Sequence, residues 1–82
     1  MVYLQPMKQD FPNIERNPEI LNGKPVIKGT RISVEFILEG LHHGASVTEI
    51  IKHYPRLTEK NVQEAIAYAI EALRHDQKPL AA

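Results

Sequence analysis

The C-terminal two-thirds of the chain carries three successive sets of helix start and stop signals, and these constrain the fold more than any other feature. Ser33, Ser46 and Thr58 are each followed by apolar residues at helical spacing, and Ser and Thr side chains commonly cap the first turn of a helix. Gly44 and Pro55 stand where the first two segments would end, because glycine adopts positive φ and proline cannot continue a helix. The pattern predicts three amphipathic helices.

The apolar positions also predict which face of each helix is buried. Apolar residues recur at i, i+3, i+4 and i+7 or close to that spacing, as in helices that pack on a core. The second helix opens with a capping box formed by Ser46 and Glu49. The residues expected in the three buried stripes are Val34, Ile37, Leu38 and Leu41, then Val47, Ile50, Ile51 and Tyr54, and finally Val62, Ala65, Ile66, Ala69 and Leu73.

Upstream of the helices, short extended pieces alternate with turn residues. The pair Asn22-Gly23 tolerates positive φ at both positions and separates "NIER" from "KPVIKGTRI". Pro25 cannot donate a sheet hydrogen bond, which restricts the second piece to an edge strand or a two-stranded ribbon. Gly29 allows the backbone to bend before the first helix. We predict a mainly α fold, in which a short N-terminal β-hairpin precedes a three-helix, helix-turn-helix-like bundle.

Length and composition indicate one small domain. The 82 residues divide into an N-terminal arm (residues 1–12), a single domain (13–75) and a flexible tail (76–82). The chain has no cysteine and no run long enough to span a membrane. From the first residues we predict no export signal, and we expect a cytoplasmic protein that does not enter membranes. A core of this size has a thin stability margin, which favours a homodimer or a higher oligomer.

The sequence contains no pattern typical of a catalytic or metal site. Ser33 and Ser46 are explained as helix caps, and neither a Gly-x-Ser-x-Gly motif nor a phosphate-binding glycine loop occurs. His42 and His43 are adjacent, so on a helix they point about 100° apart and cannot chelate one ion together. Glu39 is four residues from His43, but no third ligand lies nearby. We predict no enzymatic activity, no cofactor, no metal and no small-molecule substrate.

The turn between the second and third helices has the length of a helix-turn-helix motif. It consists of "YPRL", and a steep crossing of the two helices would present the start of the third helix outward. Polar side chains there are able to contact phosphates and base edges in a major groove of DNA. The candidate DNA-binding residues of this region are Arg56, Thr58, Lys60, Asn61 and Gln63. Because short helical hairpins also occur in proteins that bind no DNA, a protein-interaction adaptor is the alternative.

A second candidate region precedes the first helix. Residues 1–33 hold five Lys or Arg against three Asp or Glu, and the remainder of this neutral chain has a net charge of −2. Lys24 and Lys28 either contact phosphates or an acidic partner, or are solvated charges of the ribbon. Arg31 contacts phosphate, or it has a structural role at a helix end or beside a helix carboxylate. For Arg31 we favour the structural role.

Two segments resemble the signatures of a known family. "GKPVIKGTRI" and "YPRLTEKNVQEAIAYA" are similar to the small bacterial and archaeal family catalogued as domain of unknown function 433, and the resemblance extends from Asn17 to Ala69. It implies a tri-helical, DNA-binding-like domain after a short hairpin. It also implies an antitoxin-like protein encoded beside a PIN-type nuclease toxin. Since antitoxins commonly use flexible ends that fold on their partner, we expect the arm or the tail to bind that toxin.

Overall fold

The computed structural model describes residues 11–76, which form three helices preceded by a short antiparallel ribbon. The elements are β1 (Ile14–Glu15), a 3-10 turn (Leu21–Gly23), β2 (Val26–Ile27), α1 (Val34–His42), α2 (Val47–His53) and α3 (Glu59–Asp76). The predicted mainly α fold with an N-terminal hairpin is therefore confirmed. Most of the predicted arm and tail falls on residues 1–10 and 77–82, which lie outside the described residues.

The ribbon is short, and its strands are joined by a longer connection than a two-residue hairpin turn. Ile14 pairs with Ile27, and Glu15 pairs with Val26. Within the connection, Asn22 and Gly23 adopt φ values of 58° and 85°, which confirms the turn predicted from this pair. The turn is a 3-10 segment and does not link the two strands directly. Residues 16–20, between β1 and the turn, form no further pairs with β2.

All three helices begin at the predicted cap residues. The Ser33 hydroxyl accepts a hydrogen bond from the Phe36 N–H at 2.9 Å. Ser46 and Glu49 form the complete capping box at the start of α2, in which each side chain accepts from the other residue's N–H. After α1, Gly44 has a φ of 100°, a backbone conformation that glycine adopts without steric cost. These local signals therefore place the helices along the chain.

The core lies where α1, α2 and the first half of α3 meet the ribbon. Its buried apolar residues are Val26, Ile27, Val34, Ile37, Ile50, Leu57, Val62 and Ala65. Two predicted core positions are wrong, since Tyr54 is 38% exposed and Leu73 is 68% exposed. Tyr54 follows the last turn of α2, and its ring packs on the edge of Phe36 at a centroid distance of 5.3 Å instead of entering the core. Leu73 lies two turns beyond Ala65, the last buried residue of α3.

Candidate nucleic-acid interface

The predicted DNA-binding surface begins at the turn between α2 and α3. The Leu57 N–H donates to the Tyr54 carbonyl at 2.8 Å, which closes the turn. The Leu57 side chain is 2% exposed and belongs to the core. Because Leu57 fixes the turn to the core, the position of Arg56 and of the first residues of α3 is set by packing. Arg56 itself is exposed.

Thr58 and Asn61 cap α3 reciprocally. The Thr58 hydroxyl accepts from the Asn61 N–H, and the Asn61 side-chain oxygen accepts from the Thr58 N–H, both at 3.0 Å. This is the geometry of a capping box, with Asn in the place that Glu or Gln usually takes. The oxygens of both side chains, which the sequence assigns to DNA contacts, are thus engaged with the helix backbone. The spacing of Thr58 and Asn61 is a local signal for this role.

The carboxylate of Glu64 is held by the N-terminal end of the ribbon. One oxygen accepts from the Asn13 N–H and the other accepts from the Asn13 side-chain amide, each at 3.0 Å. The two residues are 51 positions apart, so no local pattern predicts the contact. Glu64 follows Gln63 in the sequence, where a free carboxylate would repel phosphate. With two hydrogen-bond donors on it, this carboxylate serves to join α3 to β1.

Three candidate side chains remain available on this surface. Arg56, Lys60 and Gln63 are all exposed, and none of their side chains forms a hydrogen bond or an ion pair with another residue of the 11–76 range. They combine a guanidinium, an ammonium and an amide, which are the groups that proteins use most often on phosphates and purine edges. Glu59 is the exposed carboxylate next to them. Of the five candidates of this region, these three have no side-chain partner among the described residues, while the oxygens of Thr58 and Asn61 are engaged in the helix cap.

The loop before α1 offers fewer available cations than its sequence suggests. The Lys24 ammonium pairs with the Glu35 carboxylate at 3.0 Å, which offsets its charge. The side chain of Lys28 is exposed, while its N–H donates to the Asn13 carbonyl at 2.8 Å. Arg31 is exposed, and its guanidinium has no hydrogen-bond partner among the described residues. Its structural role stays a prediction.

Thr30 holds the bend beside Arg31. Its hydroxyl donates to the Ile27 carbonyl at 2.7 Å and accepts from the Ile32 N–H at 2.9 Å. Gly29 precedes it with a φ of 80°, so the bend is made by these two residues. The cations of the loop are therefore carried on a defined turn, and their side chains are not needed to form it.

Other classes of site find little support in residues 11–76. Within this range, no three His, Asp or Glu residues lie close enough to hold a metal ion together. No helix in the described part of the chain is long and apolar enough to cross a membrane. Among the described residues, one apolar groove lies beside Phe36 and Tyr54 and another lies between α1 and the second half of α3. The first groove has no convergent set of polar groups that would bind or convert a small substrate.

Comparison with known proteins gives relatives whose function is unknown. A sequence model of the family described as "Protein of unknown function (DUF433)" matches residues 14–69. The chain is also 32% identical over 56 residues to the uncharacterized protein y4eO of Sinorhizobium fredii strain NBRC 101917 / NGR234, a match that covers 68% of this chain and 25% of that protein. The chain therefore spans about a quarter of that relative's length.

A solved structure has the same fold. The crystal structure of a DUF433 member protein from Anabaena variabilis ATCC 29413 superposes with a TM-score of 0.72 at 27% sequence identity. The superposition covers 77% of this chain and 62% of the other chain. Both signature segments, "GKPVIKGTRI" and "YPRLTEKNVQEAIAYA", fall inside the range that the family model matches.

Proposed function

The chain belongs to the DUF433 family, whose function is unknown, and from this premise we propose that it is an antitoxin-like DNA-binding autoregulator without enzymatic activity. It acts in the cytoplasm, where it binds the promoter of its own operon through the start of α3 with the turn before it, together with the basic loop before α1. A second segment neutralises a PIN-type nuclease toxin encoded beside it. Two observations support this function. The sequence resembles an antitoxin-like family, and polar side chains at the start of α3 are exposed and available.

The observation that carries the DNA-binding part is how the polar residues at the start of α3 are used. Thr58, Asn61 and Glu64 hold the helix end and the ribbon in place. Arg56 and Lys60 are left exposed with their charges free of described partners, and they suit phosphate or guanine. Gln63, one turn further along α3, suits the bidentate recognition of adenine. A fixed helix end with three such side chains is the arrangement that a recognition helix requires.

The charge balance limits how this interface binds. The chain is neutral overall, and neutralisation of phosphates supplies most of the affinity of a DNA-binding protein. Each phosphate contact contributes about −0.9 to the slope of log K against log salt concentration, so about four contacts in a dimer predict a slope near −3.6. We therefore expect binding that is strong only at low salt and that depends on two copies acting together.

The DNA-binding part is tested by fluorescence anisotropy with the region upstream of the gene, from low to physiological salt. Gln63→Ala is expected to weaken binding to the preferred site by about 5- to 150-fold per half-site, whereas Lys60→Ala weakens all sequences alike and reduces the salt slope of the dimer by about 1.8, one contact being lost in each copy. Lys52→Ala, at an exposed lysine of α2, is the matched control and should bind almost normally. Thermal unfolding of each variant separates lost contacts from lost stability.

If the wild-type protein does not bind this DNA at low salt, the DNA-binding proposal is wrong and the protein-interaction adaptor takes its place. An equal loss in Lys52→Ala and Lys60→Ala would also contradict it, because the interface would then not be centred on α3. Binding that is unchanged by salt would show that phosphates are not the ligand.

The toxin part depends on the arm (residues 1–12) or the tail (76–82), and most of both lies outside the described range. We expect the neighbouring gene to encode a PIN-type nuclease that co-purifies with the full chain and loses its nuclease activity on binding. A nuclease that remains active in the complex would contradict the antitoxin role while leaving the DNA-binding role intact. The two halves of the proposed function therefore fail separately.

A further inference from the structure

An apolar groove between α1 and the second half of α3 combines a protruding side chain with a recess. The protruding side chain is Leu73, which is 68% exposed. The recess beside it is lined by Pro25, Leu38, Tyr68, Ala69 and Ala72. Soluble proteins rarely leave an apolar surface of this kind uncovered unless it binds something. Its position at the opposite end of α3 from Lys60 separates it from the proposed DNA interface.

We propose that two copies of the chain pair through this groove about a two-fold axis, with Leu73 of each copy inserted between α1 and α3 of the other. A two-fold interface uses the same patch on both copies, so the patch has to be complementary to itself. A large apolar side chain next to a recess with small side chains on its α3 wall, Ala69 and Ala72, satisfies this condition. Alanines on that wall also let two helices approach closely.

The charges around the groove of one copy also complement those of the other copy. Glu35 lines the groove on the α1 side; Lys24 contacts only its Oε1, so its Oε2 has no partner among the described residues and can accept from a second cation. Arg74 follows Leu73, is exposed, and has no hydrogen bond or ion pair with another described residue. When Leu73 of one copy enters the groove of the other, a guanidinium is brought toward a carboxylate on each side of the axis. The pairing thus brings opposite charges together.

This pairing also predicts the distance between the two DNA-binding surfaces. The meaning of that distance rests on the proposed function, whereas the interface between the copies does not. If the two α3 helices run antiparallel and cross near residue 71, each Lys60 lies about 16 Å from the crossing point at 1.5 Å per residue. With a lateral separation of 8–10 Å, the two Lys60 positions are then about 34 Å apart. Half-sites in successive major grooves of DNA are about 34–36 Å apart.

The N-terminal arm is the other occupant that the structure brings near this groove. Phe11 packs on the edge of Tyr68 at a centroid distance of 5.2 Å, so the chain leaves the described domain beside one wall of the groove. A second copy brings an Arg74 guanidinium toward Glu35, whereas the arm holds no arginine that could do the same. Its charged residues near the end, Lys8 and Asp10, also favour neither side of the groove. The second copy is therefore the occupant to test.

Sedimentation velocity of the full chain, over a range from about 1 to 200 μM, tests the interface. The wild-type chain is expected to form a dimer, and Leu73→Glu is expected to raise the dissociation constant at least about tenfold, because it places a carboxylate in an apolar contact. Phe36→Gln is the control, since it removes an exposed apolar side chain from the other groove. Circular dichroism checks that each variant remains helical.

A wild-type chain that is monomeric throughout this range overturns the proposal and leaves the groove to the arm. A dimer that persists in Leu73→Glu, or that is lost equally in Phe36→Gln, overturns the choice of surface. Growth into open chains of increasing size overturns the two-fold symmetry.

The distance is tested without DNA, by spin labels on a single introduced cysteine. Because the chain has no cysteine of its own, Lys60→Cys gives one label per copy, and we expect a label-to-label distance of roughly 30–40 Å that is absent in the Leu73→Glu background. A dimer with labels closer than roughly 20 Å overturns the antiparallel arrangement. A dimer with the expected distance that binds no DNA overturns the proposed function alone.

Discussion

The two halves of α3 share one amphipathic pattern but differ in what covers them. In the first half, Val62 and Ala65 are 0% exposed, and α1 and α2 both pack on the helix. In the second half, Ile70 is 46% exposed and Leu73 is 68% exposed. Apolar periodicity therefore predicts the face that a helix turns inward, but whether that face is covered depends on the length of its neighbours. α3 has 18 residues, twice the nine residues of α1.

This difference assigns the two halves different physical roles. The first half is joined to the turn by Leu57, to its own cap by Thr58 and Asn61, and to the ribbon by Glu64. It is a fixed support for the side chains that we propose to contact DNA. The second half adds little to the core of one copy and leaves its apolar side chains for association. Stability is thus expected to concentrate at the start of α3, and oligomerisation at its end.

The largest expected effect on stability comes from truncating one leucine at each end of α3: Leu57, in the turn before the helix, and Leu73, near its C-terminal end. Leu57→Ala should lower the free energy of unfolding by about 2–5 kcal/mol, because it leaves a cavity in the core, whereas Leu73→Ala should change it by about 0.5 kcal/mol or less in the monomer. Urea unfolding followed by circular dichroism at low protein concentration measures both.

Protein concentration separates the two halves further. A side chain that acts within one copy changes stability equally at all concentrations, while one that acts between copies has an effect that grows with concentration. The Leu57→Ala effect should be constant, and the Leu73→Ala effect should increase from about 1 to 200 μM if the groove forms a dimer. Equal and constant losses for the two variants would show that the second half of α3 is as firmly packed as the first.

The cap of α3 should have the next largest effect. Thr58→Ala removes the hydroxyl that accepts from the Asn61 N–H, and loss of such a cap costs about 1 kcal/mol. Thr48→Ala is the control, because Thr48 is exposed in the first turn of α2 and its replacement slightly favours the helix. If Thr58→Ala retained full stability but lost DNA binding, the hydroxyl would be a DNA contact and the capping role would be secondary.

The fold was largely predictable because its signals are local. Ser33, Ser46 and Thr58 stand next to the N–H groups that they cap, and Asn22-Gly23 adopts the positive φ values for which these two residues are suited. The positions that the sequence predicts wrongly lie at helix ends. Whether Tyr54 or Leu73 is covered depends on which distant segment reaches it, and residue spacing does not contain that information.

For the candidate site, the sequence predicts where such a surface would lie but not how its side chains are used. The turn length and the polar residues after it indicate where a recognition helix would begin. Glu64 accepts hydrogen bonds from Asn13, which is 51 residues away in the sequence. Lys24 donates to Glu35, which is 11 residues away. These contacts decide which charges are available, and they exist only once the ribbon has folded onto α3 and α1. The structure is therefore needed to show that Arg56, Lys60 and Gln63 have no side-chain partner among the described residues.

A smaller effect is expected where the ribbon meets the first half of α3. Glu64→Ala removes the acceptor of two Asn13 hydrogen bonds, and we expect a loss of about 0.5–1 kcal/mol because the contact is exposed to water. Glu39→Ala, at an exposed carboxylate of α1, should cost less than about 0.5 kcal/mol. Hydrogen exchange at the Asn13 N–H should also become faster in Glu64→Ala. Unchanged exchange would mean that the ribbon is held by packing alone.

The smallest effect is expected at the ion pair on the rim of the second half's groove. Lys24 and Glu35 lie 3.0 Å apart, but their side chains are 56% and 63% exposed, so Lys24→Ala should reduce stability by only about 0.3 kcal/mol at low salt. Lys28→Ala, which replaces an exposed lysine four residues further on, is the matched control and should have no measurable effect. The difference should disappear near 1 M salt, where charges are screened within about 3 Å. A loss above about 1 kcal/mol that persists at high salt would contradict this expectation. The surroundings of the second half of α3 would then stabilise the monomer nearly as much as those of the first half, and the two halves would differ only in exposure.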